Sequence, residues 1–202
     1  MANTTFNGLV RSENGFAEVS KDAATGAYTT LREVTTTQMT AGTGITTGTG
    51  TVYSGSVVKT VMGDVTYFYT RIFIDLTGLD DGGTSLDIIG VDGGTANCHL
   101  GQITTAVNGT IYAGAMTCLE APTGGGADID LYSAAEATGA QDAAISGLTE
   151  TELLNAGTST LNSTDVLTAW PAADEYLYLA GVTASDATYT AGKLLIELWG
   201  AT

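Results

Sequence analysis

His99 is the side chain best suited to proton transfer in this sequence, because it is the single histidine of the chain. A Ser-His-Asp or Cys-His arrangement would have to use it. Cys98 precedes it and would point to the opposite face of a strand, while Cys118 could reach it only if the two strands pair. No GxSxG elbow precedes a helix. We therefore predict no catalytic residue, and we expect His99 to lie at a strand start with its hydrogen bonds satisfied.

One group of acidic residues could hold a cation. The segment 78–94, GLDDGGTSLDIIGVDGG, supplies four aspartates: Asp80, Asp81, Asp87 and Asp92. Carboxylates on a bent, Gly-rich backbone are typical of calcium loops. The segment lacks the DxDxDG order and the closing Glu of such a loop, and Asp-Gly is equally common in hairpin turns. We predict no metal site and no cofactor.

Two further pairs of acids could be read as a glycosidase pair. They are Asp128 with Asp130, and Glu150 with Glu152. Residues two apart on a strand share a face, whereas glycosidase carboxylates flank their substrate from opposite sides. We expect these acids to face outward into solvent.

The charge distribution excludes several classes of partner. The 202 residues carry 22 acidic and 6 basic groups, and no Lys or Arg lies between Arg71 and Lys193. Phosphate contacts need clustered Lys or Arg, so no nucleic acid is expected as a partner. No apolar run approaches the length that spans a bilayer, and the opening residues have neither a basic start nor an apolar core of a leader. We expect no membrane partner and synthesis in the cytosol.

The elements that would carry these residues are strands. In KLLIELW, Leu194, Ile196 and Leu198 share one face, opposite to Lys193 and Glu197. Residues 51–79 predict a long hairpin around Gly63 and Asp64, with a second arm that is apolar on both faces. Further strands are expected at DIDLY, EYLYLAGV, SLDIIGV, HLGQITTAV and TIYAGAMTCL, the last two joined by Asn108-Gly109.

These strands predict an all-β fold, a single domain of β-sandwich or jelly-roll-like type with an extended N-terminal arm and long loops. Residues 1–50 are assigned to the N-terminal extended region and residues 51–202 to the sandwich body. The Thr/Gly-rich stretch 35–51 is expected to be an extended arm or a flexible loop. Residues 134–165 are expected to form a long loop with one short helix at LTETELLN.

Fragments along most of the chain resemble small virion structural proteins of tailed bacteriophages of marine and aquatic bacteria. The fragments are MANTTFNGLVRSENGF, IFIDLTGL, DIIG, EYLYLAG and YTAGKLLIELWGA. The resemblance implies a capsid decoration or cement protein that is all-β, trimeric, and located on the capsid surface of the virion. Its implied partners are the major capsid protein and two further copies of itself, and it implies no catalytic residues.

Two surfaces are predicted to make these contacts. Residues 1–71 carry no net charge, which makes them less costly to desolvate against a shell than the acidic stretch 72–192. The shell-contact candidates are Phe6, Val10, Arg11, Phe16 and Arg32. The subunit-interface candidates, from the two-sided apolar strand, are Tyr67, Phe68, Tyr69, Ile72 and Phe73.

Two other functions stay open at this stage. A tail- or fibre-associated module that binds a host glycan would also be an acidic β trimer, and the nine Tyr and two Trp could stack on sugars. A hydrolase that uses His99 is the third alternative. Cys98 and Cys118 are expected to be reduced and inert.

Overall fold

The computed structural model describes residues 16–46, 53–62, 64–183 and 185–202 as one all-β domain. Two four-residue helices, α1 (Thr43–Thr46) and α2 (Thr105–Asn108), and a 3-10 turn at Ile145–Gly147 accompany the strands. The described strands are β1 (Phe16–Lys21), β2 (Tyr28–Gln38), β3 (Tyr53–Met62), β4 (Val65–Asp75), β5 (Leu79–Asp80), β6 (Asp87–Ile88), β7 (Gly90–Val91), β8 (Gly101–Gln102), β9 (Thr110–Thr123), β10 (Ile129–Ala134), β11 (Glu150–Leu154), β12 (Thr164–Val166), β13 (Tyr176–Gly181) and β14 (Ala191–Ala201).

Two sheets face each other as a sandwich. The larger sheet has the order β1-β2-β3-β4-β14-β9-β12, and the smaller has the order β11-β10-β13-β6 with β8 paired to β13. The main core lies between β4, β14 and β9 on one side and β10, β11 and β13 on the other. A short pair, β5 with β7, completes the described sheets. The predicted all-β fold is confirmed.

The alternation of apolar and polar residues along the central strands explains why the core lies between the two sheets. In β14, Leu194, Ile196 and Leu198 are fully buried, whereas Lys193 and Glu197 lie on the other face, as the sequence predicts. The hairpin of β3 and β4 is also confirmed, with Met62 opposite Val65 at its turn. β14 lies between β4 and β9 and pairs antiparallel with both, which puts its inner residues at the centre of the core.

Two local predictions are wrong. The segment 150–154 is β11 rather than a helix, since it pairs with β10 and buries Leu153 and Leu154 between the sheets. Tertiary pairing therefore overrides a weak helical signal. The segment HLGQITTAV contains only β8 and then α2, because the Thr104 side chain accepts a hydrogen bond from the Val107 N–H and caps the helix. Asn108 consequently ends a helix instead of forming a hairpin turn.

The Thr/Gly-rich stretch is packed where the structure describes it. Residues 35–38 belong to β2, and α1 follows at residues 43–46. Ile45 is fully buried in the main core. The stretch is therefore extended at residues 35–38, as one expectation had it, but residues 43–46 form a helix that the buried Ile45 anchors to the core. Residues 47–52 lie outside the described part of the chain.

A second, smaller core covers the outer face of the smaller sheet. Ile145, in the loop between β10 and β11, packs there with Tyr132, Tyr178, Ile88 and Cys98. The smaller sheet is therefore buried on both faces, and the long loop after β10 closes it from solvent.

Candidate interaction surface

One end of the larger sheet extends into solvent, and we name it the wing: the β1–β2 hairpin with residues 60–62 and 64–67 of β3 and β4. The described side chains of residues 17–21 in β1 are all exposed. Successive side chains of a strand point to opposite faces, so both faces of β1 are open. In the described part of the chain β1 pairs with β2 alone, which leaves its other edge with unpaired backbone N–H and C=O groups.

The wing carries an unusual share of exposed apolar side chains. Five large ones, between 40% and 67% exposed, lie within it: Val19, Tyr28, Met62, Val65 and Tyr67. The wing holds four acidic and two basic residues, so it carries only −2 of the net charge of −16. Apolar groups that are clustered and exposed mark interaction sites more often than chance.

The turn of the β1–β2 hairpin is fixed by its own side chain. Asp22 Oδ1 accepts hydrogen bonds from the N–H groups of Ala24 and Thr25, at 2.8 and 2.7 Å, and from the Thr25 hydroxyl at 3.0 Å. The hydrogen bonds from the Thr25 N–H, the Thr25 hydroxyl and the Ala24 N–H lower the pKa of Asp22, the first of them most. This local bonding shapes the end of the wing without any support from the core.

The predicted subunit-interface residues divide between two faces of β4. Phe68 and Ile72 lie on the inner face, 4% and 0% exposed, and belong to the chain's own interior. Tyr67, Tyr69 and Phe73 lie on the outer face, where no second layer of the described chain covers them. The surface open to another copy is therefore made by the second set.

Side chains of β14 extend this outer face, and the sequence reasoning missed them. Trp199 lies opposite Tyr69 and stacks on it, with ring centroids 5.7 Å apart and planes at 23°. Leu195 lies opposite Phe73 in the same register. The alternation of KLLIELW places Leu195 and Trp199 opposite to the core residues, and that signal could have identified them.

Opposite charges lie side by side on the outer face, where Asp75 leaves one acidic charge in excess. Arg71 lies opposite Glu197, and Lys193 forms an ion pair with Glu120. Tyr69 donates its hydroxyl hydrogen to Glu197, and burial raises the pKa of Tyr69 to about 12. A face whose charges are mostly compensated is less costly to desolvate.

The shell-contact candidates fall mostly outside the described residues. Phe6, Val10 and Arg11 lie there. Phe16 begins β1 opposite Val34, and Arg32 lies in β2 between Glu18 of β1 and Met62 of β3. The backbone of the last two candidates thus belongs to the wing.

The aspartates of the segment 78–94 do not form the cation loop that was considered. Asp80, Asp81 and Asp87 are buried, while Asp92 is exposed. Asp81 accepts hydrogen bonds from the Gly126 N–H, the Ser185 hydroxyl and the Ala187 N–H. Among the described residues, no group of three or more His, Cys, Asp or Glu side chains is arranged to hold a metal ion. These carboxylates fasten loops.

Asp130 was expected to face solvent, and that expectation is wrong. It is fully buried, with Oδ1 accepting from the Ala156 N–H at 2.9 Å and Oδ2 without a hydrogen-bond partner among the described residues. Asp128 Oδ1 is likewise buried and unpartnered there. Burial raises the pKa of Asp130 to about 6, and the charges of Asp128 and Glu152 add to the shift.

Asp130→Asn is expected to raise the free energy of unfolding by about 1–3 kcal/mol at pH 8. The amide keeps an acceptor for the Ala156 N–H and removes a buried charge. Because the native carboxyl binds a proton below pH 6 that the unfolded chain releases down to about pH 4, the wild type recovers this stability as the pH falls through that range. Urea unfolding at pH 4, 6 and 8 measures it.

Asp92→Asn is the control for Asp130→Asn, because Asp92 is exposed. Its unfolding free energy should follow that of the wild type at each pH. A constant difference between Asp130→Asn and wild type over the whole pH range would contradict the assignment of the pKa.

The His99 side chain lies beside aromatic rings. Its ring lies against Tyr176 and Tyr178, with centroids at 4.8 and 6.3 Å, and burial lowers its pKa. Nδ1 is buried without a partner in that part of the chain, so the expectation of satisfied hydrogen bonds is wrong for this atom. The Cys98 thiol is directed at the carbonyls of Gly44 and Thr95, and burial raises its pKa to about 11.

The two cysteines are both free thiols and lie in different layers. Cys98 belongs to the smaller core outside the smaller sheet, and Cys118 to the main core between the sheets. Burial raises the pKa of the Cys118 thiol as well. Protonated, buried thiols are poor nucleophiles.

No protein-family model, curated protein or solved structure matched the chain. In the described residues, no helix is long and apolar enough to cross a membrane.

Proposed function

We propose that this protein is a non-enzymatic virion structural protein, a decoration or cement protein that binds the outer surface of a capsid shell. The observation that carries the proposal is the wing, an open strand edge with exposed apolar side chains and a net charge of −2 out of the −16 of the whole chain. The rest of the chain is strongly acidic. Such a division suits a molecule with one face desolvated against a protein partner and the other facing water.

The shell contact would form by strand addition. The unpaired edge of β1 offers backbone N–H and C=O groups to an extended segment of the major capsid protein. Tyr28 and Val19 then supply apolar area beside those bonds. Each copy that bridges neighbouring shell subunits adds contacts that must break before the shell opens, so binding stabilises the closed shell.

The acidic stretch 72–192 supports an orientation in which it faces water. It holds sixteen acidic residues and no basic one, and most of its acids are solvated. Four are buried instead and hold loops or strands together: Asp80, Asp81, Asp87 and Asp130. The outward surface is therefore acidic, though less so than the composition alone suggests.

A homotrimer is proposed through the outer face of the larger sheet. Tyr67, Tyr69 and Phe73 present apolar area there, beside a hollow of about 250 Å³ bounded by Ser56, Arg71, Phe73 and Leu195. A protruding side chain of a neighbouring copy would fill this hollow. The compensated charges around it need no new partner on assembly.

Shell binding is tested on particles that lack the protein. A Tyr28→Ser, Val65→Ser double variant is expected to bind at least about tenfold more weakly than wild type, because it removes exposed anchor residues of the wing. Occupancy is measured by co-sedimentation and by counting copies per particle. Hundreds of copies support a cement protein, whereas a few copies at one vertex would indicate a tail component and overturn the proposal.

The matched control removes the same residue types from the acidic part. Tyr112→Ser with Val166→Ser changes side chains that are 52% and 67% exposed and lie outside the wing. This variant should bind like wild type. Equal loss in both variants, or full occupancy by the wing variant, would place the contact elsewhere.

The trimer is tested by light scattering at micromolar concentration. Wild type is expected at three times the 20.5 kDa chain mass. Tyr67→Glu is expected to be monomeric because it puts a charge into the outer face, whereas Trp170→Glu, at an exposed position beside β11 of the smaller sheet, should stay trimeric. A wild-type monomer at this concentration would contradict the proposed interface.

A further inference from the structure

A cavity of about 360 Å³ opens where the end of β2, the turn before β8, α2 and the start of β13 meet. Its wall includes Gln38, Met39, Thr40, His99, Gln102 and Tyr176. The volume falls within the range of roughly 300–1,000 Å³ that is typical of small-molecule sites. None of the five exposed apolar side chains of the wing lines it, although Gln38 is the last residue of β2.

The wall of the cavity is held by close backbone packing. Gly42 donates its N–H to the His99 carbonyl at 2.8 Å, and a Cβ at position 42 would come within 1.8 Å of the Asn97 carbonyl oxygen. Gly101 has φ +145°, and a Cβ there would come within 2.8 Å of Met39 Cε. Glycine at both positions lets the residues that follow β2 pack directly against residues 97–101. A wall that is fixed before binding costs less entropy when a ligand enters.

The chemistry of the cavity is neutral. Among the residues that the structure describes, none of the side chains lining it is Asp, Glu, Lys or Arg, in a chain whose net charge is −16. Burial lowers the pKa of His99, so its ring is uncharged at neutral pH. A charged ligand would lose water here without gaining an opposite charge, which selects an uncharged one.

The wall combines aromatic faces with amide and hydroxyl groups. The Tyr176 and His99 rings meet at 59°, with their centroids 4.8 Å apart, and form an apolar corner. Gln102 lies opposite Tyr176 in the strand register and donates Nε2 to the Asp174 carbonyl, which leaves its Oε1 as an acceptor. Gln38 and Thr40 are exposed at the rim and offer donors and acceptors.

We propose that this cavity is a binding site for an uncharged saccharide, with one sugar ring against the Tyr176–His99 corner and its hydroxyls on Gln38, Thr40 and Gln102. A sugar ring has a C–H face that packs on aromatic rings and an edge of hydroxyls that pair with amides, which matches the two kinds of wall. The site shares Gln38 with the wing but none of the wing's exposed apolar side chains. A protein that holds both would link a particle surface to a glycan.

The experiment titrates the full chain with methyl glycosides of glucose, galactose, mannose and N-acetylglucosamine at millimolar concentration, followed by ¹H–¹⁵N chemical shifts. Glucuronic acid and glucosamine serve as charged comparators. At least one neutral glycoside is expected to shift the amides of residues 38–40 and 99–102, and the charged sugars are expected to shift them at least about tenfold more weakly. No shift with any neutral glycoside, or equal shifts with the charged sugars, would overturn the proposal.

Two variants locate the site. Tyr176→Ala is expected to abolish the shifts, and Gln38→Ala, at an exposed position that does not support the fold, to weaken binding several-fold. Tyr112→Ala removes an exposed tyrosine outside the cavity and should bind like wild type. Binding that survives both cavity variants would overturn the assignment. Particle binding should be normal in both, so failure here is distinguishable from failure of the shell proposal.

Discussion

Asp81→Ala is expected to lower the free energy of unfolding by about 3–5 kcal/mol. The Asp81 side chain is fully buried, and its two oxygens accept hydrogen bonds from Gly126, Ser185 and Ala187. Alanine would leave the buried Gly126 N–H without a partner and would remove the acceptor of the more accessible Ser185 hydroxyl and Ala187 N–H. Each unsatisfied buried donor costs about 1–3 kcal/mol, which is more than the loss of a typical surface contact.

The same carboxylate joins segments that are far apart in the sequence. Gly126 lies before β10, and the residues at 185 and 187 lie between β13 and β14. Tyr189 donates its hydroxyl hydrogen to the Gly126 carbonyl at 2.8 Å and reinforces the same junction. Loss of Asp81 should therefore loosen two loops at once, which hydrogen exchange would detect as faster exchange of the Gly126 and Ala187 amides.

Asp92→Ala is the matched control for Asp81→Ala. Asp92 lies in the same Gly-rich segment but is exposed. Its substitution should change the unfolding free energy by less than about 0.5 kcal/mol in urea denaturation. A loss below about 1 kcal/mol for Asp81→Ala would show that the loops re-form their hydrogen bonds with water, and would contradict the fastening role.

The central strands could be predicted because their information is local. In β14 the spacing of Leu194, Ile196 and Leu198 sets the buried face without reference to any other strand. The hairpin of β3 and β4 is equally local, since its turn joins adjacent segments. The sequence pattern therefore predicts a strand correctly where one of its faces is apolar and the strand it pairs with is close in sequence.

The buried acids could not be predicted, because what makes their burial possible lies elsewhere in the chain. An aspartate next to isoleucine in DIDLY has the pattern of a solvent-facing residue, yet Asp130 is covered by the segment that follows β11. Asp81 is buried because its donors come from more than forty residues away. No local pattern encodes those distant donors.

The outer face of the larger sheet could be predicted only in part. The two-sided apolar character of β4 was visible in the sequence, and the structure divides it into an inner face and an outer one. The stacking of Trp199 on Tyr69 depends on the register between β4 and β14, which are more than a hundred residues apart. Register between distant strands follows from the packing of the whole core, so the composition of this surface required the fold.

Ile196→Ala is expected to lower the free energy of unfolding by about 2–5 kcal/mol, because it leaves a cavity in the main core. Ile196 is fully buried in the middle of β14, opposite Ile72 of β4 and Met116 of β9. Strands on both sides fix its surroundings and limit collapse into the space. In thermal unfolding, each kcal/mol should lower the Tm by about 2–4 °C for a chain of this length.

Leu195→Ala provides the comparison within the same strand. Leu195 is adjacent to Ile196 but lies on the outer face, where it is only partly buried and borders the hollow beside Phe73. Its truncation should cost the isolated chain clearly less stability than Ile196→Ala, while weakening the trimer in light scattering. The two residues are neighbours in the same strand. A difference in stability between the two variants would therefore come from the face of the strand on which each side chain lies. Equal losses of stability would mean that both faces of β14 are equally buried, contrary to the sandwich and to the proposed interface.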